Sequence, residues 1–150
     1  NNPNLNLHMI GKLQTNKVKQ AVKLFDYIHS LDSIKLAKKI SLEQRKIKRN
    51  IKIFIQINIG NENQKNGISI SELNNFYKSC KNDFDLDVIG LMCLPPVDTD
   101  PSISFKKMEE AANELLLKEL SMGMSSDYLE AIKFKANYLR IGSKIFGDRN

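Results

Sequence analysis

Residues that carry metal and redox chemistry are scarce in this 150-residue chain: there are two cysteines, Cys80 and Cys93, and two histidines, His8 and His29. Two cysteines make no disulfide framework, and no Cys-x-x-Cys or Cys/His cluster offers a zinc site, so no metal is expected. Cys93 lies in an apolar run, where a reduced, buried thiol and a cytoplasmic setting are expected. No apolar run approaches the ~18 residues of a membrane span, and Asn1–Asn6 form neither the basic nor the apolar part of a secretory signal. No membrane partner is therefore expected. The phosphate motifs G-x-G-x-x-G and G-x-x-x-x-G-K-[ST] are absent, which counts against the commonest open-sheet nucleotide sites. Arginine is also rare, with only Arg45, Arg49, Arg140 and Arg149 beside 19 lysines.

What remains is an ordinary globular composition, 41% hydrophobic and 27% charged, with a formal net charge of +6. That composition excludes disordered and fibrous classes, and the length predicts one domain over residues 1–150. Cations crowd into residues 1–60, where they face only Asp26, Asp32 and Glu43, and are densest over Lys35–Lys52. That run lacks the interleaved aromatics and arginine forks of nucleic-acid recognition. It reads as a solvated helix face, and no nucleic-acid partner is expected.

Strand and helix signals alternate along the whole chain. Strands are expected over Leu5–Leu13, Tyr27–Leu31, Ile51–Ile59, Val88–Leu94, Leu120–Met124 and Tyr138–Ile141. Between them, Val18/Val22/Phe25, Ile34/Ala37/Ile40 and Phe105/Met108/Ala112/Leu115 recur at helical spacing, and Tyr128–Lys135 reads as helical. Ser69 with Glu72 is a capping box for a helix running through Phe76 and Cys80. Repeated β-α units without hairpins predict parallel strands, leaving a doubly wound sheet or a (β/α)8 barrel. Six units at roughly 25 residues each match the economy of a minimal barrel of ~200 residues, and on that count two further units are expected outside this sequence.

Two late segments carry the chemistry. Ser121-Met122-Gly123-Met124-Ser125-Ser126-Asp127 is a strand end, a small-residue turn and a helix start, and Arg140-Ile141-Gly142-Ser143 repeats the arrangement one unit later. Helix-start N–H groups, glycine and short hydroxyls suit a phosphate dianion, and barrels often build phosphate sites from their last two loops. Ser125 and Ser143 as simple helix caps is the other reading. Arg140 shares a strand face with Tyr138 and needs a partner there, either an internal carboxylate or a ligand. His8 reads as a satisfied core histidine, and His29 carries less weight still.

His8-Met9-Ile10-Gly11-Lys12-Leu13-Gln14-Thr15-Asn16-Lys17 resembles the H-x-I-G-x-L-Q-x-N-K signature of the pyridoxal-phosphate homeostasis proteins. Ile57-Asn58-Ile59 with Glu62-Asn63-Gln64-Lys65-Asn66-Gly67-Ile68, then Gly90-Leu91-Met92 before Pro95, resemble that family's next blocks. Leu120–Asp127 and Arg140-Ile141-Gly142-Ser143-Lys144-Ile145-Phe146-Gly147 follow in the same order. The resemblance implies a TIM-like (β/α)8 barrel of the alanine-racemase type, here with about six of its eight units. It implies pyridoxal 5′-phosphate as cofactor, its phosphate held around Met124, Ser125, Gly142 and Ser143 with Ser121 nearby. Arg140 would approach the pyridine nitrogen, and His8 and Met92 would line the pocket near the ring. The family's Schiff-base lysine belongs to an A-V-S-K-x-K-like motif that this sequence does not contain, and no lysine here takes that role by motif. The implied function is cofactor buffering and delivery without catalytic turnover, in a monomer of the complete protein, with pyridoxal-phosphate-dependent apo-enzymes as recipients. A racemase-like enzyme on the same barrel is the alternative.

Overall fold

A computed structural model describes residues 5–62 and 66–147 of the chain. Asn63, Gln64 and Lys65 of the second family-like block lie outside the described residues. The strands are β1 (His8–Met9), β2 (Tyr27–Leu31), β3 (Lys52–Ile57), β4 (Asp87–Cys93), β5 (Glu119–Met124) and β6 (Tyr138–Arg140). The helices are α1 (Val18–Leu24), α2 (Ile34–Lys46), α3 (Ile70–Asn82), α4 (Pro101–Glu114), α5 (Tyr128–Lys133) and α6 (Ser143–Phe146), with a 3-10 turn at Thr15–Lys17.

All neighbouring strands pair in parallel and in chain order, β1-β2-β3-β4-β5-β6. A doubly wound sheet would reverse its strand order at a switch point, and this one does not. The sheet also curls: the rings of His8 on β1 and Tyr138 on β6, at opposite ends of the strand order, come within 5.9 Å centroid to centroid. Sequential parallel pairing with that curl is part of a β/α barrel. It follows from the alternation in the strands. Ile53, Ile55 and Ile57 point outward and are at most 1% exposed, packed with Leu36, Ala37 and Ile40 of α2, Phe76 of α3 and Phe105 and Met108 of α4. The intervening residues point inward, where Tyr27, Phe54 and Met92 form a second, smaller cluster.

Strand and helix ends depart from the sequence expectation for local reasons. The first strand pairs only over His8 and Met9, because Leu5, Leu7 and Ile10 lie exposed at the end of the sheet. Lys135 adopts a left-handed φ of 61°, so α5 ends at Lys133. Ser69 and Glu72 bond through their side chains instead of closing the reciprocal capping box, and Glu72 N–H donates to the Ser69 carbonyl. The Lys35–Lys52 run braces the fold. Arg49 donates to the Val22 and Lys23 carbonyls at the end of α1 and pairs with Asp26 at 2.6 Å, Arg45 donates to the Phe84 carbonyl, and Lys39 and Lys46 both bind Glu43. Among the described residues, no helix is long and apolar enough to cross a membrane.

Candidate functional site

The inward positions converge near the C-terminal ends of the strands. His8, His29, Ser121, Tyr138 and Arg140 line a cavity of about 800 Å³, together with Met124 at the end of β5 and Gly142 just after β6. Loops after the strand C-termini are where parallel barrels place their ligands. Rings make up much of the floor. His8 stacks on Tyr27 at 4.1 Å, His29 stacks on Phe54 at 4.2 Å, and Tyr138 stands edge-on to Phe54 at 5.0 Å.

A line of hydrogen bonds crosses this wall. Arg140 Nη1 donates to Ser121 Oγ at 2.8 Å, and Arg140 Nη2 donates to the Cys93 carbonyl at 2.8 Å. Ser121 Oγ lies 2.8 Å from His29 Nδ1, and His29 Nε2 lies 2.9 Å from His8 Nδ1. Arg140 makes no ion pair within 4 Å among the described residues, and the Asp127 carboxylate acts on it only from farther away, against the lowering by burial. Burial lowers the His29 pKa to about 3, helped by His8 and by the Arg140 charge, so the imidazole is neutral. Burial also lowers His8, and it pushes the Cys93 thiol up to about 12. That cysteine is inert, and its contribution is its carbonyl.

The turns after β5 and β6 are tied together. Gly123 has a φ of 93°, and a Cβ there would meet the Ala131 side chain at 2.8 Å, so α5 can approach the strand end only over glycine. Asp127 Oδ1 accepts from Met124 N–H at 2.6 Å, folding the turn back on itself. Ser125 Oγ accepts from Gly142 N–H at 3.1 Å and Lys144 N–H at 3.4 Å. It thus satisfies the start of α6 from the neighbouring loop, and it caps no helix of its own. Ser143 opens α6 and is exposed, and a Cβ at Gly142 would meet nothing within 4 Å.

The structure therefore brings His8, Ser121, Met124, Arg140 and Gly142 to one cavity and sets Ser125 and Ser143 beside it on the connecting loops. Met92 departs from the expectation. It is 1% exposed, packed with Tyr27 and Phe54, and it is not among the residues that line the cavity. His29 is the residue that sequence reasoning passed over. Its signal was the period-two face it shares with Tyr27, but nothing local shows that Ser121, 92 residues later, will lie against it. No group of three or more His, Cys, Asp or Glu among the described residues could hold a metal.

A curled, sequentially paired parallel sheet with a polar inner wall defines a class, the β/α barrel of alanine racemase, and residues 3–150 match the family model described as alanine racemase, N-terminal domain. Within that class the chain belongs to the pyridoxal phosphate homeostasis proteins. It is 38% identical over 156 residues to the Aquifex aeolicus (strain VF5) member, covering 97% of this chain and 68% of that one. The Haemophilus influenzae member is 36% identical, with 98% and 66% covered. The structure of PipY from Synechococcus elongatus PCC7942 without PLP superposes with a TM-score of 0.90 at 32% identity, covering 97% of this chain and 72% of that one. The PLP-bound form of that protein gives 0.87 at 31% identity, over the same shares. An alanine racemase of Clostridium difficile, at 16% identity and a TM-score of 0.70, shares the fold, with 99% of this chain and 41% of that one covered. The chain spans about two-thirds of the length of the curated relatives it matches.

Proposed function

We propose that this chain binds pyridoxal 5′-phosphate and serves its buffering and delivery in the cytoplasm, with pyridoxal-phosphate-dependent apo-enzymes as recipients and without turnover of its own. The observation that carries the reading is Arg140: a guanidinium with no ion pair within 4 Å among the described residues, held by Ser121 and the Cys93 carbonyl at the wall of the 800 Å³ cavity. The donor set fits an anionic, acceptor-bearing heterocycle. Gly142 leaves open space where a side chain would stand, and the Gly142 and Lys144 N–H groups, now bound by Ser125 Oγ, are the donors a phosphate needs. Ser125 and Ser143 flank that point and supply hydroxyls to the same anion.

When bound, pyridoxal phosphate supplies an aldehyde that condenses with amines. Arg140 orients the ring and, being permanently charged, offers no base to hold a proton on the pyridine nitrogen, which weakens the electron sink that racemisation requires. Binding and release are favoured over turnover. The rings of Tyr27, Phe54 and Tyr138 exclude water from the floor.

Ser143→Ala tests the phosphate half of the site. A charge-assisted hydrogen bond contributes roughly 1.5–3 kcal/mol, so titration with pyridoxal phosphate is expected to show affinity weakened about tenfold or more with an unchanged circular dichroism spectrum. Unchanged affinity removes Ser143 from the site. Turnover of a free amino acid by the protein supports the racemase-like alternative instead.

A further inference from the structure

The line from Arg140 to His8 has a direction, and the direction follows from what each group can do. Arginine only donates, so Ser121 Oγ accepts at one side. Ser121 is completely buried, and among the described residues the one acceptor within reach of its hydroxyl proton is His29 Nδ1. A neutral His29 that accepts at Nδ1 carries its proton at Nε2, 2.9 Å from His8 Nδ1. His8 therefore accepts at Nδ1, and its own proton sits at Nε2. The reverse order would leave the Ser121 hydroxyl proton buried and unpaired, the arrangement proteins avoid.

We propose that His29 is a positioning residue: through the one-way relay Arg140→Ser121→His29→His8 it fixes His8 as a neutral Nε2–H donor, so that both ends of the relay, Arg140 and His8, present donors to the cavity. The relay stands on this chain's own geometry. Its consequence for ligands rests on the functional reading above. Donors at both ends favour a ring that presents acceptors there, an unprotonated heterocyclic nitrogen or an ionised ring oxygen, over the same ring carrying protons at those atoms. His29 is 2% exposed and stacked on Phe54, so it acts on a ligand only through His8 and Ser121.

The test is a long-range proton–nitrogen correlation spectrum of the protein labelled with 15N-histidine, near neutral pH. Both histidines are expected to show a protonated Nε2 and a bare Nδ1. In Ser121→Ala the relay loses its source, and both signatures are expected to move toward mixed tautomers, which a merely structural serine would not cause. A His8 protonated at Nδ1 in the wild type, or tautomers unmoved in Ser121→Ala, overturns the relay. Affinity supplies the second arm. His29→Gln keeps one acceptor and one donor and is expected to hold pyridoxal phosphate within about threefold of wild type, whereas His29→Phe keeps the stack on Phe54, cuts the relay, and weakens binding about tenfold. Equal affinities in the two variants overturn the ligand role of His29. A wild type with the expected tautomers that takes up no pyridoxal phosphate supports the relay and overturns the functional reading, so the two failures are told apart.

Discussion

The two faces of the sheet are made by alternate residues of the same strands and obey different rules. On the outer face Ile53, Ile55, Ile57, Leu91, Leu120 and Met122 are all at most 3% exposed and meet the helices through dispersion and apolar burial alone. On the inner face His8, His29, Ser121 and Arg140 meet through bonds with fixed donors and acceptors, and Tyr138 packs edge-on to the His29 ring. Outer residues are interchangeable with others of similar volume. Inner residues are not, because each bond assigns the proton of the next. The inner face also differs in how it treats charge. Burial there opposes charge: it lowers Arg140 and His29 and pushes the Tyr138 phenol up to about 12, with Tyr27 adding to the last. Division of labour between the faces predicts that stability and ligand affinity can be changed separately.

The largest expected effect is on the outer face. Ile55→Ala removes a fully buried side chain from between β3 and the helices and is expected to cost about 3 kcal/mol of unfolding free energy, within the 2–5 kcal/mol usual for such truncations, measured by urea denaturation. Pyridoxal phosphate affinity of the folded fraction is expected to stay the same. A loss of affinity larger than the loss of stability breaks the division between faces.

Arg140→Met is the converse. It removes a half-buried charge that has no ion pair within 4 Å among the described residues and leaves volume in place, so stability is expected to change by no more than about 1 kcal/mol. Affinity is expected to fall by about 2 kcal/mol, some thirtyfold, in the same titration. A variant that unfolds but binds normally would make Arg140 a structural residue.

Acid sharpens the comparison through a single group. The folded pKa of His29, about 3, lies below its ordinary 6.5, so between those values the unfolded chain carries a proton that the folded chain does not. Stability from this source is complete above about pH 6.5 and is lost as pH falls toward 3, at up to about 1.4 kcal/mol per pH unit. His29→Gln, compared with wild type by denaturation across that range, is expected to show a shallower slope. Equal slopes would mean that the buried imidazole titrates freely.

The outer face was legible in the sequence because it is local. Ile51-Lys52-Ile53-Phe54-Ile55 states its own period, and the β-α alternation leads to sequential parallel strands. The turns at Ser121–Asp127 and Arg140–Ser143 were legible for the same reason, as short strings of small residues at strand ends. The inner wall was only half legible. Arg140 stood out as a charge in a short strand, but His29 is informative only beside Ser121 and His8, and those contacts come from the curl of the sheet, not from spacing along the chain. Met92 was legible as an inward residue of its strand, but its burial in a cluster with Tyr27 and Phe54 was not.

The smallest effect concerns the point where β2 changes from one face to the other. Ile28 and Leu31 both enter the outer core although they are three residues apart, and the pairing with β3 shifts register between them. Ser30 lies in that irregular step, 1% exposed, with its hydroxyl paired to no described group. A buried hydroxyl without a partner carries a desolvation cost and returns no bond, so Ser30→Ala is expected to be neutral or to stabilise by up to about 1 kcal/mol. Because His29 is its neighbour in the chain, the variant also asks whether the irregular step positions the relay. The division between faces expects the tautomers of His8 and His29 and the affinity for pyridoxal phosphate to stay at wild-type values. A shift in either, with stability unchanged, would show that the inner wall depends on how β2 is seated against the helices, and that the two faces are coupled at this one step.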